Sequence, residues 1–308
     1  MARLIHTGNV VIDLVLRVPR LPQRGGDVLA KTAVATPGGG FNLAAAAARQ
    51  GVSVVYAGGH GTGPWGDLAR AALAVEGVSC VAPPQLELDT GYVVALVEPD
   101  GERSFVTAPG AEAQLRLEWL EATAPQAGDW VYVSGYSLAH AANRAALLAW
   151  LPSLDWQVSV VFDPGPLVAS LDPAALRVVL ARADWVTANE PECLVLAGAE
   201  SVEEALAGRA PRGRGGLVLR LGAAGCVVAF AMPGSVPQRV ASFPVTAVDT
   251  NGAGDAHTGV FVAGLMAGLD PVQAARRANA GAALAVVMPG PATAPAPAAI
   301  DALISQNA

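Results

Sequence analysis

Ten residues, Val248-Asp249-Thr250-Asn251-Gly252-Ala253-Gly254-Asp255-Ala256-His257, place glycines and a carboxylate where a strand-like stretch, 242–248, gives way to an apolar helical run, 258–269. A glycine-rich turn at a helix start leaves several backbone N–H groups without intrahelical partners. Those donors point the same way and carry the positive end of the helix dipole, so an anion, above all a phosphate, is their natural guest. Gly252, Ala253 and Gly254 are the expected donors. Asp255 repels such a guest, but it is well placed to take a proton from an attacking hydroxyl. An anion cradle with a general base is the minimum equipment for phosphoryl transfer. A lone glycine pair would suggest only a tight turn and a helix cap; the full Asp-Thr-x-Gly-Ala-Gly-Asp string is far more specific.

A second glycine cluster lies near the front of the chain, in Pro37-Gly38-Gly39-Gly40-Phe41-Asn42, before an alanine-rich helix over 43–50. Glycines there imply close backbone approach, and the Asn42 amide can both donate to and accept from a hydroxyl. Asp13 follows the first strand, 3–8, at the kind of strand end where open α/β sheets keep ligand groups. A turn or cap would explain Asp13 equally well, and a simple helix entry would explain the glycines. Asn189-Glu190-Pro191-Glu192 follows another strand and reads as an N-cap with a capping box. Arg220 precedes the hairpin Gly222-Ala223-Ala224-Gly225 and could pair with a phosphate through both its nitrogens.

These residues need a frame. From residue 129 onward strands and helices alternate: 130–134 then 139–151, 158–163 then 173–183, 185–187 then 191–197. This rhythm predicts a mostly parallel sheet with helices on both faces. Segments 14–35 and 90–108 break it. The first contains Pro19, Pro22, Gly25 and Gly26, and the second has a hairpin signal at Pro99-Asp100-Gly101-Glu102. Together they predict a small sheet inserted in a single unit spanning 1–308, with 13–35 and 90–108 as a lid that excludes water. The lid is also a surface through which two copies could pair. The glycine-dense stretch 58–63 lacks the spacing of a dinucleotide fingerprint and reads as a loop.

Composition narrows the classes. The 308 residues are 53% hydrophobic, with 19 basic and 26 acidic side chains and a net charge of −7. That balance argues against nucleic acid and anionic membrane surfaces as partners. No apolar run approaches the ~20 residues of a membrane span, and the N-terminus lacks a signal-peptide core. The three cysteines, Cys80, Cys193 and Cys226, fit reduced thiols, so the expected compartment is the cytoplasm. Lys31 is the single lysine. The abundance of alanine and glycine reads as genome composition.

The two glycine motifs lie about 200 residues apart, farther than any one turn could explain. The later one resembles the C-terminal signature of the ribokinase-like, or PfkB, carbohydrate and nucleoside kinases, and the earlier one resembles their N-terminal signature. The resemblance runs nearly end to end. It implies a ribokinase-like α/β fold with ATP and Mg2+ as co-substrate and metal, K+ as a further ion, and a sugar or nucleoside as acceptor. By resemblance, Asp13, Gly39, Gly40 and Asn42 contact the sugar. Asn189 and Glu192 help place magnesium through water, Gly222 and Gly225 lie near the nucleotide phosphates, Asn279 beside the base, and Asp249 at a monovalent cation. Three positions depart from the pattern: Asn251 where Thr is usual, His257 where Phe is usual, and Gly39 where ribokinases carry Lys. The last disfavours a phosphorylated sugar. A nucleoside kinase, with Leu14, Tyr92 and Phe105 packing a base, and a catalytically silent binding protein are the alternatives.

Overall fold

The computed structural model describes residues 2–307. Among them thirteen strands form two sheets. The larger has nine, in the order β13-β12-β11-β10-β9-β8-β1-β4-β5. Its strands are β1 (Arg3–His6), β4 (Ser53–Tyr56), β5 (Ser79–Cys80), β8 (Trp130–Ser134), β9 (Ser159–Asp163), β10 (Trp185–Asn189), β11 (Gly216–Arg220), β12 (Cys226–Phe230) and β13 (Gln238–Val240). Pairing is parallel from β11 through β5 and antiparallel for β12 and β13. The inner strands are apolar on both faces because helices cover both. Alternate residues enter two cores: Leu4, Tyr132, Val161 and Val218 on one side, Ile5, Val131, Val160 and Leu217 on the other.

Helices α1 (Gly40–Arg49), α2 (Pro64–Val75), α9 (Ala253–Met266), α10 (Pro271–Val286) and α11 (Pro297–Gln306) cover the first face. Helices α3 (Leu117–Ala122), α4 (Gly135–Ala139), α5 (Ala141–Trp150), α6 (Pro173–Arg182), α7 (Glu190–Ala197) and the short α8 (Val202–Glu204) lie on the second. The contact that builds the site is between α1 and α9. Gly259 permits it: a Cβ there would stand 2.7 Å from the Ala46 Cβ and 2.9 Å from the Leu43 carbonyl oxygen. The row Ala44–Ala47, fully buried, presents the matching small surface.

The smaller sheet has the order β3-β2-β6-β7, from β2 (Val10–Arg17), β3 (Thr32–Gly39), β6 (Tyr92–Val97) and β7 (Arg103–Ala108). These strands occupy the two inserted segments expected from the turn signals, although β2 and β3 are longer and more regular than the prolines and glycines suggested. The register puts Asp13 opposite Thr36 on β3 and Val93 on β6, and Val93 opposite Thr107. Asp13, Val15, Thr36, Val93, Phe105 and Thr107 therefore share one face. Leu14, Leu16, Ala33 and Ala35 share the other, where they line a shallow apolar groove. Buried Glu112 ties the lid to the body by accepting the N–H groups of Gly91, at 2.7 Å, and Gly110, at 3.0 Å, beside β6 and β7.

Two expectations need correcting. Asp13 does not stand at a strand end of the main sheet; it sits in the middle of β2, because the lid sheet begins at once after β1. The stretch 242–248 is not a paired strand. After β13 the chain runs to the glycine turn as unpaired backbone interrupted by Pro244, held at its far end by Val248 and Asp249, which both donate to the Val286 carbonyl.

Candidate active site

The parallel strands deliver their last residues to one edge, as open α/β sheets do. Asp163 ends β9, Asn189 ends β10 and Arg220 ends β11. Above them α9 begins. Gly252 is its N-cap residue in left-handed conformation (φ 74°, ψ 3°), a turn that favours glycine. Among the described residues no protein acceptor meets the N–H groups of Gly252, Gly254 or Asp255, whereas Ala253 N–H makes a long 3.3 Å bond to the Thr250 carbonyl. The open donors are thus Gly252, Gly254 and Asp255, a set shifted from the Gly252–Gly254 run expected above.

Asp255 sits in the first turn of α9, and Asn42 in the first turn of α1. Their side chains meet across 213 residues of sequence, with Asn42 Nδ2 donating to Asp255 Oδ2 at 3.3 Å. The other end of that amide, Asn42 Oδ1, is buried without a partner. A buried polar atom with no partner among the described residues is uncommon and marks this amide as a candidate ligand contact. Desolvation, then the nearby Asp163 charge, pushes the Asp255 carboxyl up to about 7; Asn42 and Arg220 pull the other way. Asp13 is also raised, to about 6, mainly by burial, with the Asn251 side chain in hydrogen-bonding reach opposing the shift. Gly38 is glycine for a local reason, since any Cβ would overlap the Asp13 carboxylate. Gly39 (φ 56°) packs on Asn9 and Val11, and Gly40 on His6 and Asn9. Close approach of protein to protein explains both.

Arg220 forms the floor. Its Nη1 lies 2.8 Å from Asp163 Oδ2 and 2.9 Å from both Thr187 Oγ1 and Thr258 Oγ1; its Nη2 lies 3.3 Å from Glu192 Oε2. Burial opposes the guanidinium charge, but Asp163 and Glu192 outweigh it and hold its proton more firmly than usual. A Cβ on Gly254 would come within 3.7 Å of Arg220 Nε and Nη2, so the cation lies directly behind the glycine turn. Arg220 therefore lies behind the open N–H groups as a fixed charge committed to carboxylates. Glu192 and Asn189 form a complete capping box for α7, and Asn189 Nδ2 adds a 2.8 Å bond to Glu192 Oε1. Both Glu192 oxygens accept protein donors: Oε1 from Asn189 Nδ2, and Oε2 from Asn189 N–H and Arg220 Nη2.

The remaining expected residues are Gly222, Gly225, Asn279 and Asp249. Gly222 (φ 56°) is open, and Gly225 (φ 90°) presses against the Val240 carbonyl. Asn279 is buried and its amide is committed to protein: Nδ2 donates to the Val240 and Ala241 carbonyls, and Oδ1 meets His257 Nε2 at 3.1 Å. Burial holds His257 neutral, with its value lowered to about 3. This His257–Asn279 pair pins the start of the coil that leads into the glycine turn. Asp249, expected beside a monovalent cation, has its charge met by Arg103 Nη2 at 2.6 Å and by the Asn251 and Gly290 N–H groups. Asp163, in Asp163-Pro164-Gly165 at a strand end, reads from sequence equally as turn chemistry or as a holder of water or metal, whereas nothing in the local sequence marks Thr187, Thr258 or Arg103 as site residues.

The sequence matches the family model "pfkB family carbohydrate kinase" over residues 1–299. The chain belongs to the pfkB family of carbohydrate kinases. It is 34% identical over 278 residues to an uncharacterised sugar kinase of Escherichia coli K12, YegV, covering 89% of this chain and 85% of the relative. A fructokinase of Klebsiella pneumoniae is also 34% identical, over 277 residues, with 85% and 82% covered. In fold, the chain is similar to Arabidopsis thaliana ribokinase complexed with ribose and ATP (TM-score 0.79, 25% identity, 99% of both chains). It is likewise similar to a putative ribokinase II of E. coli (TM-score 0.86, 23% identity, 99% and 100%). The kinase is thus ribokinase-like in architecture, with the four-stranded sheet as its lid. No helix among the described residues is long and apolar enough to cross a membrane.

The raised Asp255 value has a sign that can be checked. Its folded-state value, about 7, lies above the ordinary 3.8, so its ionisation works against the fold as pH climbs between those two values. Asp255→Asn removes that penalty. Its melting temperature should exceed that of the wild type at pH 8, with the advantage shrinking toward pH 5; scanning calorimetry at the two pH values checks this.

Proposed function

We propose that this kinase moves the γ-phosphoryl group of ATP to a hydroxyl of a free sugar, with Asp255 as general base. The observation that carries the reading is the Asn42–Asp255 pair at the mouth of the open N–H groups, with Asn42 Oδ1 unsatisfied. An acceptor hydroxyl held by Asn42 gives its proton to Asp255 while its oxygen attacks the γ-phosphorus in line. The bond from that phosphorus to the β–γ bridging oxygen breaks, and ADP leaves. The N–H groups of Gly252, Gly254 and Asp255 and the Arg220 charge behind them favour the negative charge on the transferring group. A base with a value near 7 is matched to proton transfer at neutral pH.

Asp13 faces the same cleft from the lid and is read as the second sugar contact, with Gly39, Gly40 and Asn42 shaping the entry. Its cross-strand neighbours Thr36 and Val93, and Thr107 beyond, carry no charge, which suits a free sugar better than a phosphorylated one. The donor side is assigned to Asn189, Arg220, Gly222, Gly225 and Asn279, the last acting through the coil it pins. Magnesium, which ATP chemistry implies, neutralises phosphate charge when bound. No cluster of three potential ligands exists among the described residues, so the phosphates and water would hold it, with Glu192 one water away.

One observation favours a nucleoside instead. Phe105 is 61% exposed on the lid face that carries Asp13 and lies opposite Ala95, whereas the register puts Leu14 and Tyr92, also expected to pack a base, on the other face. An aromatic wall of this kind suits a base. ADP release measured with a panel of free sugars and nucleosides separates the two. Saturable binding with no turnover on any of them would point to a silent binding protein. Asp255→Asn should keep nucleotide and acceptor binding while kcat falls ~100-fold or more. Near-normal turnover in that variant would remove Asp255 as the base.

The other lid face, with Leu14, Leu16, Ala33 and Ala35, we assign to a second copy of the chain. The same apolar patch on both partners is what a two-fold interface requires. Sedimentation of the wild type should show a dimer and of Leu16→Lys a monomer; a monomeric wild type at tens of micromolar would contradict the assignment.

A further inference from the structure

The lid touches the anion turn through charge. Arg103 opens β7 just after the tip of the hairpin, opposite Val97, and shares the cleft face with Phe105 and Thr107. Its Nη2 donates to Asp249 Oδ1 at 2.6 Å, across 146 residues of sequence. Among the described residues Arg103 is the only cation paired with Asp249. The same carboxylate accepts Asn251 N–H at 2.9 Å and Gly290 N–H at 3.1 Å, and the Asp249 N–H holds the Val286 carbonyl. Asp249 is thus a joint among the lid, the glycine turn and the loop beyond α10. Asp249 accepts from Asn251 N–H, and the residue after Asn251 is Gly252, the N-cap of α9, so the lid strand β7 is tied within three residues of the helix start.

We propose that Arg103 is a positioning residue that couples seating of the lid over the acceptor to the geometry of the anion turn. The inference rests on the phosphotransfer reading above. The ion pair is partly exposed, with side chains 29% and 16% accessible, and pairs of this kind contribute little to global stability. Its effect lies in placement. With Arg103 on Asp249, β7 and the 249–252 backbone are held together, so the lid residues that face the acceptor and the N–H groups that face the phosphate keep one spacing. Without it the lid can close while the turn shifts, and a small misplacement of reacting groups is costly in rate. The bland alternative is a surface ion pair that only stiffens the hairpin.

A double-mutant cycle separates the two. Arg103→Met should lower kcat/KM for the acceptor about 10-fold, a loss of the size that misplacement produces, with the KM for ATP little changed. Asp249→Asn, which keeps an oxygen for the Asn251 N–H, should lose a similar factor. The double variant should lose no more than about twofold beyond the worse single, because the two side chains act as one unit. Arg103→Lys should recover most of the activity. Hydrogen exchange on the same proteins needs no turnover. In Arg103→Met the amides of 103–108 and of 249–253 should exchange faster together, while those of β8 stay as in the wild type. Multiplying losses in the double variant, wild-type kinetics in Arg103→Met, or faster exchange in β7 alone would overturn the proposal. A wild type that turns over no acceptor would instead count against the phosphotransfer reading, with the exchange comparison still deciding whether the coupling exists.

Discussion

The largely buried guanidinium of Arg220 stands among more carboxylates than it can neutralise. Arg220 binds Asp163 and Glu192 directly, and Asp255 remains beside it without a counter-ion of its own. That imbalance governs the cleft. The guanidinium puts a cation directly behind the glycine turn, at Gly254. The surplus negative charge and the burial leave one carboxyl, Asp255, with a high affinity for a proton. A cleft with more cations would hold the Asp255 proton less firmly; one without Arg220 would leave Asp163 and Glu192 buried and unpaired, a strongly destabilising state.

The fold places this group by bringing strand ends and helix starts to one edge. Asp163, Asn189 and Arg220 end three adjacent strands, so their spacing is set by the sheet. Asp255 and Asn42 open two helices whose approach depends on Gly259 and the alanines of α1. The alanine and glycine content, read from composition alone as a genomic habit, has a structural use at these positions: bulkier side chains would part α1 from α9 and separate the amide from the carboxylate.

Much of this was legible in the sequence. Both glycine motifs, the alternation of strand and helix after residue 129 and the hairpin near Pro99 carry local signals, and each corresponds to an observed element. What was not legible depends on distant partners. Asp163 looked like turn chemistry because its neighbour Arg220 lies 57 residues away. Arg103 looked like an ordinary strand residue because Asp249 lies 146 residues away. The 242–248 stretch has the apolar alternation of a strand, yet no neighbouring strand is available to pair with it beyond β13. Asn279 and His257 were matched to positions in a motif, whereas their hydrogen bonds hold a coil in place. In each case the missing information was which groups fold together.

The most direct test is the titration of Asp255 itself. Carbon-13 NMR of the aspartate carboxyls in the ligand-free protein, with the Asp255 signal assigned by its loss in Asp255→Asn, reports its midpoint. The account predicts a midpoint of about 7 that falls in Asp163→Asn, where the neighbouring charge is gone. A midpoint near the ordinary 3.8, unmoved by that substitution, would contradict it.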